Sequence, residues 1–293
     1  MARITIVCCP ELRGFYEMKI KLLFFDVFPN FGDMLNIHIP KLFGVDVEKG
    51  GPYECNAAFI GSVMSALMSK RRFDPRKFIY GPVKIWGAGF IKPEDNKIKL
   101  RRRMEIYALR GKLTLELMRK YTGRPLENVK LGDPGLLAPM LIGGGGGRKI
   151  EKKYKLGIIP HYVDAKSEHL LKIKTGNSVV IDILSNPISF MKQVAECETI
   201  IASAMHGLIA ADSLGIPNAR MLLSDGIIGG DYKYDDYYSA FGLDSHQKTD
   251  LRTIDFWDDV ESVKKNYKIK PRQVAAICDA LISVFPYKRT GFP

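Results

Sequence analysis

Short apolar runs of strand length recur along the chain, each followed by a polar or helix-like stretch, and this alternation restricts the fold more than any other feature. The first runs are Met18–Phe25, Ala57–Ile60, Val83–Trp86, Met104–Leu109 and Val129–Leu131. A strand buried on both faces reads as a continuous apolar run, and helical stretches between such strands supply the crossovers of a parallel sheet. The pattern restarts at Lys155–Pro160 and continues through Val179–Ile183 and Thr199–Ser203. Between the two series lies Gly143–Gly147, which no helix or strand interior accommodates without heavy entropic cost, and then the basic stretch Arg148–Lys155. The predicted organisation is two α/β domains with mainly parallel sheets, 1–147 and 148–293, with residues 1–17 an extension ahead of the first strand. At roughly 150 residues per domain, a chain of 293 residues has the length for both.

Two helices are legible. Asn186 is placed to cap a helix whose first position is Pro187, with Ile188, Met191, Val194 and Ala195 as its apolar stripe. Pro271 opens a terminal amphipathic helix carrying Val274, Ile277, Cys278, Leu281, Ile282 and Phe285 at spacings of three and four. The pattern leaves open which domain that helix covers.

A 46% hydrophobic and 26% charged composition is that of a globular chain, and it excludes collagenous and disordered classes. The net charge of +12 favours anionic partners. Lys70–Arg72, Arg101–Arg103 and Lys152-Lys153 lack the aromatic interleaving or the motifs of a nucleic-acid module, so no nucleic-acid partner is expected. They read as solvated basic faces, or as loose attraction to an anionic leaflet. No apolar run approaches the roughly 20 residues of a membrane span, and Ile4–Cys9 is shorter than a secretory apolar core, so the expected location is cytoplasmic with peripheral contact at the membrane face. Five cysteines without a Cys-x-x-Cys pair read as small buried hydrophobes, and no metal-ligand cluster is visible.

The most informative stretch is Ser203–Pro217. It follows a strand, reads as a helix from Gly207 onward, and ends at Gly215. Ser203, His206 and the first free N–H groups therefore fall at the carboxyl end of a parallel strand and the amino end of a helix, where an anion is favoured. The alternative is that His206 merely caps the helix. Asn30-Phe31-Gly32-Asp33, Gly61-Ser62, Gly87-Ala88-Gly89 and Arg110-Gly111 end other strands, and His161 follows Pro160 in the same way. Together they describe one rim of exposed N–H groups suited to sugars or phosphates, where Arg110 could grip an anion bidentately or serve a structural role. Asp231–Tyr238 is dense in tyrosines and carboxylates that bind sugars, or else forms an amphipathic helix with exposed charge.

These segments, together with Gly132-Asp133-Pro134, Ile159–Tyr162, Ser203–Gly207 and Lys233–Tyr238, occur in an order that resembles the polysaccharide pyruvyl transferase family from about Lys19 to Gly242. The resemblance implies two Rossmann-like domains facing a cleft, as in GT-B glycosyltransferases. It implies transfer of the pyruvyl unit of phosphoenolpyruvate onto two hydroxyls of a sugar, in a polysaccharide or its lipid-linked precursor, with ketal formation and phosphate release. Phosphoenolpyruvate is then the donor substrate and no other cofactor is required. The implied donor site comprises Arg110, Ser203, His206, Gly207 and Lys233. The implied acceptor side comprises Asn30, Gly32, Asp33, Asp236 and Tyr237, with His206, Asp33 and His161 as acid–base groups. The family has Arg-Leu-His where this chain has Ala204-Met205-His206: the histidine is kept and the arginine is not. Either this is a Ser-x-Met-His-Gly branch, or another cation, Lys233, replaces that arginine. A nucleotide-sugar glycosyltransferase of the same fold and a non-catalytic glycan-binding protein are the competing readings.

Overall fold

A computed structural model describes residues 18–69, 79–93, 99–143 and 150–287. The first half runs β1 (Met18–Leu22), α1 (Phe31–Leu42), β2 (Val45–Lys49), β3 (Ala57–Ala58), β4 (Met68–Ser69), β5 (Val83–Trp86), β6 (Lys99–Leu100), β7 (Met104–Leu109), α2 (Lys112–Thr122) and β8 (Lys130–Leu131). The second half runs β9 (Tyr154–Ile159), β10 (Ser178–Val180), α3 (Pro187–Ala195), β11 (Cys197–Ala202), α4 (Met205–Ser213), β12 (Asn218–Leu222), α5 (Tyr232–Ser239), β13 (Lys248–Asp250), α6 (Val260–Asn266) and α7 (Pro271–Ser283). The strands form two parallel sheets, ordered β2-β1-β3-β5-β7-β8 and β10-β9-β11-β12-β13, while β4 and β6 pair apart as an antiparallel ribbon. In each sheet the chain goes first to one neighbour of its opening strand and then crosses to the other. This reversal opens a crevice at the carboxyl ends of the strands.

β5 and β7 coincide with the predicted apolar runs, but β2 and β12 were not legible. β2 is Val-Asp-Val-Glu-Lys, an edge strand with mostly half-exposed or exposed positions. β12 carries Arg220, buried at 3% exposure because Asp231 takes its charge and the Tyr234 ring lies 3.7 Å beneath it. In α3 the Asn186 side chain accepts from the Ile188 N–H at 3.0 Å, as the spacing predicts. The buried face is nevertheless Pro187, Phe190, Met191, Val194 and Ala195, and Ile188 is 37% exposed: Phe190 takes the inward place assigned to Ile188.

The uncharged stretch after Asp133 becomes a 3-10 helix, Pro134–Ile142, which packs against α1, α3, α4 and α7. One apolar cluster runs through it, from Phe31, Leu35 and Trp86 by way of Leu136 and Leu137 to Phe190, Ile200 and Leu208. Phe31 and Phe190 stack across the two halves with ring centroids 4.3 Å apart. Gly143 ends the 3-10 helix at φ +72°, and Gly144–Gly147 lie outside the described residues, as do residues 1–17 and Lys70–Arg72.

The terminal helix covers the first sheet. Trp86 Nε1 donates to the Leu281 carbonyl at 2.9 Å, and Phe285 packs on Trp86 and Phe43 with centroids 4.9 and 4.5 Å away. In the Arg101–Arg103 cluster only Arg103 is exposed, and the solvated reading fails at Arg102. Arg102 is 3% exposed and donates to the carbonyls of Tyr53, Cys55 and Gly81. Cys55 and Cys197 are buried free thiols. No described helix is long and apolar enough to cross a membrane.

Trp86 fills the space between the first sheet and α7, so Trp86→Ala should cost about 3–5 kcal/mol of unfolding free energy in urea titrations. An unchanged midpoint would mean that α7 is not held by this contact.

Candidate functional site

The carboxyl ends of both sheets converge. The Phe31 N–H, opening α1, donates to the Ile183 carbonyl at 2.7 Å, and Phe28 and Tyr162 stack with centroids 5.0 Å apart. Across this junction His206, the second residue of α4, lies against Gly32 of α1. A methyl on Gly32 would sit 2.0 Å from His206 Nδ1, so only glycine admits the ring. The N-cap of α4, Ala204, supplies no side-chain bond, and the first turn carries no acidic residue. Gly207 is buried against Ile159 and Ala202 and serves close packing of helix on strand, not ligand contact.

Asp33 sits in the first turn of α1. Its N–H donates to the Asn30 side chain at 3.2 Å, and Asn30 Nδ2 donates back to the Asp33 carboxylate. Burial pushes the Asp33 pKa up to about 7 despite the Asn30 bond; Asp26 adds to the rise and Lys233 opposes it. His161 caps a short 3-10 helix, its Nδ1 accepting from the Val163 N–H at 3.3 Å. Its neutral ring therefore carries the proton on Nε2. Burial and Lys233 hold its pKa down to about 4 against the pull of Asp164.

Lys233, on α5, is 8% exposed and has no carboxylate within ion-pair distance among the described residues. Burial, Arg110 and Arg220 lower its pKa to about 8, with Asp33 opposing. Burial, Arg110, Lys233 and His161 hold His206 down to about 3. Lys233 acts electrostatically on Asp33, His161 and His206 alike, so these groups lie near one another. An unpaired, nearly buried ammonium beside an uncapped helix N-terminus and neutral imidazoles is a site prepared for an anion.

Other sequence-predicted residues are placed differently. Arg110 is fully buried and consumed by structure: Nε donates to Asp236 at 2.9 Å, Nη1 to Ser62 at 2.7 Å and Nη2 to the Phe90 carbonyl at 2.5 Å. Asp236 is its counter-ion and not a sugar contact. It also accepts from the Thr114 N–H and hydroxyl at 2.8 and 2.7 Å, tying α5 to the start of α2. Tyr237 is in the core, its hydroxyl on Asp212 at 2.9 Å. Ser203 is a strut: its hydroxyl donates to Asp164 at 2.7 Å and accepts from the His161 N–H at 2.8 Å. The dense Asp231–Tyr238 segment forms a helix, the second of the readings made of it: it leaves Asp231 exposed and Asp235 half-exposed and buries five residues, Lys233 and Asp236 among them. The sequence reading gave no role to Asp164 or Asp133. Asp133 had a signal available, as the residue preceding Pro134 at a helix start.

The family model for polysaccharide pyruvyl transferase matches residues 3–222. The chain belongs to the polysaccharide pyruvyl transferase family. A curated relative, the uncharacterized protein L143 of Acanthamoeba polyphaga mimivirus, is 35% identical over 148 residues, 49% of this chain and 50% of its own length. The chain thus spans about half the length of that relative. The match to the pyruvyl transferase family takes in Asp33, Arg110, Asp133, His161 and His206, and ends before Lys233 and Asp236. Among the described residues no group of three His, Cys, Asp or Glu side chains is arranged to hold a metal.

Removing one partner of a buried ion pair strands the other charge, so Arg110→Ala or Asp236→Ala should each cost about 3–5 kcal/mol in denaturant titrations, and the double change less than the sum. Independent, additive losses would show that the pair is not coupled.

Proposed function

We propose that the protein transfers the pyruvyl unit of phosphoenolpyruvate onto two hydroxyls of one sugar residue of a glycan or its lipid-linked precursor, forming a cyclic ketal and releasing phosphate. The observation that carries the reading is Lys233, an almost buried ammonium without a paired carboxylate, set beside His206 and the uncapped start of α4 in a chain of this family. The donor's phosphate and carboxylate are the anions such a site lacks. Lys233 then stands in for the arginine absent at Ala204, and Arg110 contributes positive potential from behind while bonded to Asp236.

The chemistry needs one acid and one base. His206, protonated once the bound anion offsets Lys233 and Arg110, gives its proton to the donor methylene carbon. Positive charge develops at C2, a sugar hydroxyl attacks there, phosphate leaves with the C2–O bond electrons, and a second hydroxyl of the same sugar closes the ketal. Asp33, with a pKa of about 7, is able both to accept and to return the hydroxyl protons. Nε2–H of His161 is free to donate to the leaving phosphate. Asn30 holds Asp33, and Gly32 leaves room for the His206 ring.

The test is phosphate release from phosphoenolpyruvate with a pyranoside acceptor bearing free neighbouring hydroxyls. His206→Ala should lower turnover by about 10²-fold or more if the imidazole is the acid. Turnover of a nucleotide sugar, or glycan binding without phosphate release, would replace the proposal. Lys233 binds an anion only while charged, so kcat/KM should fall as pH rises past about 8. In Lys233→Ala this fall should vanish and KM for the donor should rise; an unaltered alkaline limb would remove Lys233 from donor binding.

A further inference from the structure

Asp133 is a carboxylate at the site to which neither the sequence nor the proposed reaction gives work. It is fully buried, and its Oδ1 is satisfied by the Gly135 N–H at 2.8 Å, which caps the central 3-10 helix. Its Oδ2 has no hydrogen-bond partner, and neither has the buried Nε2 of His206. These two orphaned atoms face each other at 3.8 Å. Two unmet polar groups pointed at one another in a dry interior are costly unless they act together. The Nδ1–Cε1 edge of the ring packs closely on Gly32, where an added methyl would sit 2.0 Å from Nδ1. That close approach limits how far the ring can rotate toward α1. The side chain is 11% exposed, yet Nε2 is buried, so the part of the ring that solvent reaches lies elsewhere.

Resting on the reaction proposed above, we infer that Asp133 is a positioning residue for His206: its Oδ2 accepts the Nε2–H of the imidazole, fixes the tautomer, and holds the Nδ1 edge toward the donor. When His206 takes up the proton it will deliver, that proton is on Nδ1, and Asp133 stabilises the imidazolium from behind without itself taking a proton. The shortening from 3.8 Å to hydrogen-bond distance accompanies this gain of charge. The arrangement has the logic of the carboxylate–imidazole pairs that orient a catalytic histidine, with the roles of the two ring nitrogens reversed.

The direct measurement is ¹⁵N NMR of the full-length protein labelled in its histidines, with His206 assigned by loss of its signals in His206→Gln. At neutral pH the wild-type ring should carry its proton on Nε2. Asp133→Asn should mix or invert the tautomer, lower kcat by about 10²-fold or more, and leave KM for phosphoenolpyruvate little changed. Asp133→Glu should restore the Nε2–H form in part. A wild-type ring protonated on Nδ1 overturns the inference even if no variant folds, and so does an Asp133→Asn protein with unchanged tautomer and kcat. The tautomer is read without donor or turnover. If phosphoenolpyruvate proves not to be the substrate, the NMR result therefore still decides the positioning role.

Discussion

A guanidinium and a carboxylate that never meet water hold the candidate site in shape. Arg110 leaves the end of β7 and Asp236 descends from α5, so their contact joins the last strands of the first sheet to a helix of the second half. Desolvating two charges costs several kcal/mol per ion, and the pair tolerates this because each partner is held by further bonds. Arg110 also reaches Ser62 and the Phe90 carbonyl, and Asp236 also accepts twice from Thr114. Gly111 belongs to the same arrangement: a side chain there would collide with the Asp236 backbone.

Arg110 is paired with its own counter-ion, so the unpaired positive charge of the site is that of Lys233. That residue sits one turn before Asp236 on α5, and the helix therefore presents a counter-ion to one basic group and an unpaired ammonium near His206 and Asp33. The neighbours follow from it. Its charge helps hold His206 and His161 neutral in the resting protein and moderates the rise in Asp33. An incoming anion would reverse these effects together.

The fold was legible wherever burial imposed continuous apolar runs, as at β5 and β7, and wherever a cap spelled out a helix start, as at Asn186. It was illegible where tertiary partners override local pattern. β12 buries an arginine only because Asp231 and Tyr234 wait for it, and Ile188 and Phe190 exchange faces because an aromatic ring was needed opposite Phe31. The site divides in the same way. Strand-end position singled out Asp33, His161 and His206, and Lys233 was singled out as the cation to replace the arginine missing at Ala204; the structure places all four near one another. Strand-end position and residue type did not separate ligand contact from structural bonding for Arg110, Asp236 and Ser203, because a charged or hydroxyl side chain looks the same in sequence whether it faces a ligand or another buried group. Asp133 was missed because its second oxygen acquires meaning only opposite a histidine 73 positions further along the chain.

The docking of α7 on the first sheet has a bearing on how the molecule is made. Trp86 and Phe59 are synthesised well before Phe285, the ring that packs on them, which follows the whole second sheet in the chain. A nascent first half consequently carries an uncovered aromatic patch throughout elongation of the second. Its consolidation waits until α7 has been made, and a first half expressed without that helix would carry the patch exposed.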